Sequence, residues 1–380
     1  MTVELSDELK MLRASVREFV RRELQPVEHE VDRLDETPPD LMWSLRRKAR
    51  DLGILGLTIP EADGGGGLGP TAYCVLREEL GRTSQAMSYA VRGPSPILLA
   101  GTPCQKEKFL YPCLRAEKRE AFAITEPDAG SDVTAMKTTA VARGDGFVLN
   151  GSKVFITNGD RADFTIVFAL TDPAKRGRGG VTAFLVEKGT PGFAVGQVFG
   201  KMGWRGTGLV ELVFSDCFVP RENVLGQVGQ GLALAMQWID EGRLGISASA
   251  VGSAERLIEL SVRFVKERKT FGQLLADRQT IQLMLADSAM DTYAARTMVY
   301  ATAARAEAGE NIRQQAAMTK IFASEMVGRI ADRAVQIHGG MGYVQETPVE
   351  RYYRDVRFMR IAEGTSEVLR LLVARGVLNP

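Results

Sequence analysis

Between Leu232 and His338 the chain carries three long segments of helical period, Leu232 to Arg268, Gln279 to Ala308 and Ile312 to His338. Each is well beyond the roughly 10–14 residues of an average globular helix. Helices of that length bury their apolar stripes best against one another, which predicts an antiparallel bundle. A short apolar-periodic segment, Val368 to Val373, closes the chain. Long bundles also tend to pair, so an oligomer is expected.

The N-terminal part is helical as well. Ser6 is an N-cap candidate for a segment with Leu9, Leu12, Val16, Phe19, Val20 and Leu24 at helical spacing, and Pro26 follows its end. Further helices are expected over Asp40 to Leu52, Ala72 to Arg82, part of Ser88 to Leu99 around the interruption Gly93 to Pro96, and Gln105 to Ala116. Gly64 to Pro70 satisfies GxGxxG, but its flanks are helical and no βαβ unit surrounds it, so it reads as a turn. Near Ala121 the texture changes to short apolar runs rich in β-branched and aromatic residues: 147–149, 154–156, 164–170, 181–186, 193–198 and 209–214. Asp145-Gly146, Asn150-Gly151, Asn158-Gly159 and Gly177 to Gly180 separate them and signal hairpins. The fold class is therefore mostly α with a central β-domain: an N-terminal helical domain over 1–118, a middle β-barrel or sandwich over 119–225, and a C-terminal helical bundle over 226–380.

Composition removes several functions. Net charge is +1, with 48 basic against 47 acidic residues, which offers nothing to nucleic acid or an anionic membrane. No apolar run reaches the roughly 18 residues of a membrane span. The N-terminus lacks a basic and then apolar signal pattern, so a cytoplasmic location is expected. Cys74, Cys104, Cys113 and Cys217 form no CxxC pair and read as reduced thiols. With only His29 and His338, a metal site built on several histidines is excluded and a hydrolytic triad is disfavoured.

Five stretches hold more Gly, Ser, Thr and charge than packing needs. They are Phe122 to Asp132 with Thr125-Glu126-Pro127, Phe155-Ile156-Thr157-Asn158-Gly159, Arg268 with Phe271-Gly272, Gln336 with Gly339-Gly340-Met341-Gly342, and Glu363-Gly364-Thr365. Taken singly, each fits a turn, a hairpin end, a helix terminus or a cap. Together and in this order they resemble the acyl-CoA dehydrogenase family, over almost the whole chain. That resemblance implies a helical domain, a β-domain and a four-helix bundle. It also implies FAD as cofactor, an acyl-CoA substrate, a homotetramer, acyl-CoA catabolism, and an electron-transfer flavoprotein as acceptor.

The resemblance also assigns residues. Phe122, Ile124 and Thr125 are implied to lie along the flavin, and Gly130 and Ser131 to meet the cofactor, Ser131 also the thioester ligand. Phe155, Ile156 and Thr157 are implied to cover the ring and its N5 edge. The family more often has Trp where Phe155 stands, so less π-surface is offered here. Arg268, Thr270, Phe271, Gln279, Gln336, Gly339 and Gly340 are implied to reach the FAD of a neighbouring subunit, and Thr365 and Glu367 to close over the cofactor. Asp240, Arg243 and Gly364 are implied at the thioester end.

Glu363 matches the family's base. A proton α to a thioester is weakly acidic, so a carboxylate must be held against it in a dry pocket that raises its pKa. The resemblance then implies oxidation to the trans-2-enoyl-CoA, with the β-hydrogen passing to flavin N5. Some relatives carry the base just before an Arg on a bundle helix. Here that position is Gly242, and Glu241 is turned about 100° away. An acyl-CoA oxidase, an enoyl-CoA reductase, or a binding protein of the same fold are the alternatives. Arg92, Gly93, Pro94 and Ser95 fall near the implied pocket floor, with Arg92 expected to point to solvent.

Overall fold

A computed structural model describes residues 5–379. The N-terminal domain contains α1 (Asp7–Phe19), α2 (Glu28–Leu34), α3 (Pro39–Asp51), α4 (Pro70–Leu80), α5 (Gln85–Ala90), α6 (Pro103–Gln105) and α7 (Tyr111–Leu114). Its caps follow the sequence. The Ser6 side chain accepts from the Leu9 amide, and Thr102 and Gln105 form a reciprocal capping box. The glycine run is a structural turn, because the Gly66 and Gly67 amides donate to the Gly56 and Ile59 carbonyls at 3.0 and 2.9 Å. Its amides are thereby used up, which removes the dinucleotide-cradle reading.

The middle domain is an eight-stranded sheet of β1 (Glu120–Ala123), β2 (Thr139–Arg143), β3 (Gly146–Thr157), β4 (Phe164–Leu170), β5 (Val181–Glu187), β6 (Phe193–Val198), β7 (Leu209–Pro220) and β8 (Val224–Leu225). The order is β6-β7-β3-β2-β4-β5-β8, with β1 parallel to β4. Phe147, Leu149, Val167, Phe184 and Phe214 fill one apolar cluster. Ile166, Phe168, Leu185 and Phe109 fill another, between sheet and helices. Two expected hairpins are absent. Asn158-Gly159 joins β3 to β4, which are not neighbours in the sheet because β2 lies between them. Asn150-Gly151 lies inside β3, at a register shift against β7. The Asn150 side chain and Asp216 exchange hydrogen bonds there, so the Asn-Gly signal marks a bulge and not a turn.

The C-terminal domain holds α8 (Gly231–Glu267), a hairpin of β9 (Lys269–Thr270) and β10 (Gln273–Leu274), α9 (Gln279–Glu307), α10 (Arg313–His338), α11 (Gly340–Tyr343), α12 (Val349–Arg357) and α13 (Ser366–Leu378). Val251, Leu257, Val299, Met326, Val327 and Ile330 centre its core. Helix α8 presents small residues to α4. A Cβ at Gly252 would collide with the Glu78 carbonyl, and Ser249 and Ser253 donate to the carbonyls of Arg77 and Gly81 at 3.2 and 2.8 Å. The helices thus approach almost backbone to backbone.

One carboxylate joins all three domains. Asp355 on α12 is buried and accepts from the Gln85 amide at 3.0 Å and the Trp204 amide at 2.6 Å. Two further pairs tie α2 to α12: Arg351 with Glu28 at 2.6 Å and Arg354 with Asp32 at 2.8 Å.

Candidate active site

Glu363 sits between a 3₁₀ turn (Phe358–Arg360) and α13. Its backbone is left-handed, φ 54°, and Gly364 follows at φ 99°. A non-glycine residue held there costs on the order of 1–3 kcal/mol and persists only when neighbours enforce it. Two cations do so. Arg243 on α8 donates to the Glu363 carbonyl at 3.1 Å, and Lys320 on α10 donates to the Gly364 carbonyl at 2.7 Å. Arg243 is itself paired with Asp240. Lys320 is fully buried, and burial draws its pKa down to about 8 despite the attraction of Glu363. Thr365 accepts from the Val368 amide at 3.3 Å and so starts α13, while Glu367 stands exposed on its first turn.

The Glu363 side chain turns inward. The residue as a whole is half-buried, but Oε2 is shut off from solvent and has no hydrogen-bond partner. Burial pushes its pKa up to about 7, against the opposing pull of Arg243, Lys320, Arg77 and Arg92. The carboxylate lies against Gly242, where any Cβ would overlap it. Gly242→Ala is therefore expected to fold normally, since a flexible carboxylate can give way, yet to lose most of its turnover because the carboxylate is displaced. Steady-state rates beside a thermal melt check this, and unchanged turnover would remove the weight placed on the contact.

The sheet reaches the same place. Phe122 stacks on Trp238 of α8, ring centroids 4.3 Å apart, one turn before Gly242. The Val154 amide donates to the Thr125 carbonyl at 2.9 Å, which joins the segment after β1 to β3. The pairing of β3 with β7 slips between Lys153 and Ile156. In that bulge Phe155 takes φ 58° and is 57% exposed, with Phe199 at 5.1 Å. Ile156 is buried in the sheet, so its side chain faces the core and not a ligand. Ile124 is buried, Thr125 and Thr157 are half-buried, and Gly130 and Ser131 are exposed. Beneath them lies a buried ion pair. Lys153 contacts Glu126 at 2.7 Å, and Glu126 also accepts the Thr138 amide at 3.0 Å. Burial lowers Lys153 to about 8, so the pair is ionised at neutral pH.

The remaining candidates stand elsewhere. Arg268 ends α8, 25 residues beyond Arg243, or roughly 37 Å along the helix. Arg268, Phe271, Gln279, Gln336, Gly339 and Gly340 are all exposed, Phe271 completely. Thr270 is half-buried in the β9–β10 hairpin. This group does not share a site with Glu363 within one chain.

Arg92 departs from expectation. It points inward: its side chain is 23% exposed, pairs with Glu120 at 3.0 Å, and lies 4.9 Å from the Tyr89 ring. The solvent reading failed because its partner comes 28 residues later, on β1.

Sequence profiles of the acyl-CoA dehydrogenase N-terminal, middle and C-terminal domains match residues 6–117, 121–217 and 229–378. The chain belongs to the acyl-CoA dehydrogenase family. It is 41% identical to the acryloyl-CoA reductase (NADH) of Anaerotignum propionicum, over 100% of this chain and 96% of that one. It is 39% identical to the caffeyl-CoA reductase-Etf complex subunit CarC of Acetobacterium woodii, over 98% and 99%. The butyryl-CoA dehydrogenase structure from Megasphaera elsdenii superposes with a TM-score of 0.93 at 38% identity, covering 100% of both chains. Acyl-CoA dehydrogenases are FAD-dependent oxidoreductases, and this chain offers what a planar ring needs. An exposed aromatic, Phe155, is fixed in left-handed backbone, and at Gly130 a Cβ would meet only the Thr125 methyl, at 4.0 Å. Among the described residues no helix of this chain is long and apolar enough to cross a membrane.

Sequence reasoning missed Lys320, Trp238, Tyr73, Arg77 and the Lys153–Glu126 pair. Lys320 had a signal: it sits on the apolar stripe of α10 between Ala316, Ala317, Ala323 and Ser324.

Proposed function

We propose that the enzyme catalyses α,β-dehydrogenation of an acyl-CoA thioester to the trans-2-enoyl-CoA, with Glu363 as the base for the α-proton. The observation that carries this is the buried, unpartnered Oε2 of Glu363, raised to about 7 and clamped by two cations through its own backbone segment. A base poised near the working pH combines availability with proton affinity. The Glu363 amide donates to no protein acceptor among the described residues, so it is free to polarise a thioester carbonyl as negative charge develops. Phe122, Thr125, Phe155 and Thr157 would hold the flavin ring, and bound FAD supplies the acceptor for the β-hydrogen as hydride. The exposed set from Arg268 to Gly340, distant from Glu363 within one chain, fits a role at the cofactor of a second copy in a homotetramer. An electron-transfer flavoprotein is the proposed acceptor, in keeping with the name of the Acetobacterium woodii relative.

The test is the pH dependence of flavin bleaching by acyl-CoA, with the enoyl product identified. The charged carboxylate is the reactive form, so kcat/KM should rise with pH and level off above about 7. A profile flat from well below to well above that value would reject Glu363 as the base. The reductases among the relatives favour a second reading, the same transfer run in reverse, with Glu363 delivering the α-proton. Bleached enzyme re-oxidised faster by an enoyl-CoA than by an electron-transfer flavoprotein would select it.

A further inference from the structure

The wall running away from Glu363 is not built for a plain hydrocarbon tail. Along α8, Gly242 faces the Glu363 carboxylate, Gly245 faces the Tyr73 hydroxyl, and Ser249 donates to the Arg77 carbonyl at 3.2 Å. From Gly242 to Ser249 is roughly 10 Å of helix. Helical side chains lean toward their own N-terminus, so an extended Arg77 side chain would run back along α4 toward Tyr73 and Glu363. Both guanidinium groups of this region, Arg77 and Arg92, oppose the rise in the Glu363 pKa, in keeping with that placement.

The two arginines differ in what balances them. Arg92 is neutralised by Glu120 at 3.0 Å and set beside the rings of Tyr89 and Trp238, at 4.9 and 5.8 Å. Arg77 makes no ion pair among the described residues, and its Nε is buried without a partner. The adjacent carboxylates on α4 are already engaged, Glu78 by Arg296 at 3.1 Å and Glu79 by Arg17 at 2.8 Å. A methyl-ended acyl chain would expel water from this guanidinium and return nothing. A terminal carboxylate would return a charge-assisted hydrogen bond.

We propose that the preferred substrate is a short acyl-CoA whose far end carries a carboxylate, with Arg77 reading that carboxylate and Tyr73 forming the wall beside it. This rests on the dehydrogenation reading above and adds the substrate class. The test uses chain-matched pairs, glutaryl-CoA against valeryl-CoA and adipyl-CoA against hexanoyl-CoA, on the FAD-loaded protein. Binding is followed by calorimetry and chemistry by flavin bleaching. The carboxylated member of at least one pair should bind more tightly and bleach with higher kcat/KM, by about tenfold or more, the scale of one charged hydrogen bond. Arg77→Met should abolish that preference, bringing the ratio within each chain-matched pair to about one, and Arg77→Lys should keep part of it. If Arg77→Met does not fold, the wild-type pairs together with Arg77→Lys decide. Equal handling of both members by wild type, or a preference that survives Arg77→Met, overturns the proposal while bleaching still supports dehydrogenation. A carboxylate preference in binding with no bleaching by any ester overturns dehydrogenation and leaves Arg77 as the reader.

Discussion

Glu363→Gln is expected to retain FAD and fold but to reduce the flavin about 10²–10⁴-fold more slowly, the usual contribution of a positioned base. The amide fills the same space against Gly242 and cannot take the α-proton. A stability readout separates this from damage to the fold. The Glu363 pKa is raised from the ordinary 4.5 to about 7, so the folded chain holds a proton that the unfolded chain has released in that window. The stabilisation from that proton is fully present below 4.5 and lost as pH rises through about 7. Wild type should therefore lose stability relative to Glu363→Gln between pH 5 and pH 8, a trend thermal melts would reveal. Near-normal reduction by the variant would reject the assignment of the base.

Lys153→Met is expected to have the largest effect on stability. It leaves Glu126 buried beneath the sheet without its cation, and breaking one side of such a pair costs about 3–5 kcal/mol. The segment from Ile124 to Glu126 rests on Lys153, whose Nζ also donates to the Ile124 carbonyl at 3.2 Å. FAD retention should fall together with the melting temperature. Adding Glu126→Gln should recover much of the loss, because the stranded charge is then gone. A melting temperature unchanged by Lys153→Met would show that the pair bears no stress.

The sequence carried the architecture further than the site. Long periodic segments such as Gln279 to Ala308 pin their helices because the buried stripe recurs over many turns. The Ser6 cap was equally readable, since capping is local. Asn150-Gly151 misled because the same dipeptide serves a hairpin and a bulge, and only the partner strand carrying Asp216 decides between them. Glu363 was found through neighbouring motif residues. Its mechanical support was not, because Arg243 and Lys320 meet it from helices 120 and 44 residues away in the chain. Arg92 and Lys153 were obscure for the same reason: their partners are fixed by the fold and by no local pattern.

The position of Asp355 bears on how ligands enter. Its carboxylate takes an amide from the helical domain and another from the sheet domain while riding on a bundle helix. With Arg351 and Arg354 fastening the same helix to α2, a swing of one domain would have to break several buried polar contacts at once. If Glu363 is the base proposed above, admission of an acyl chain to it is therefore a matter for side chains and short loops, moving within a frame that stays shut.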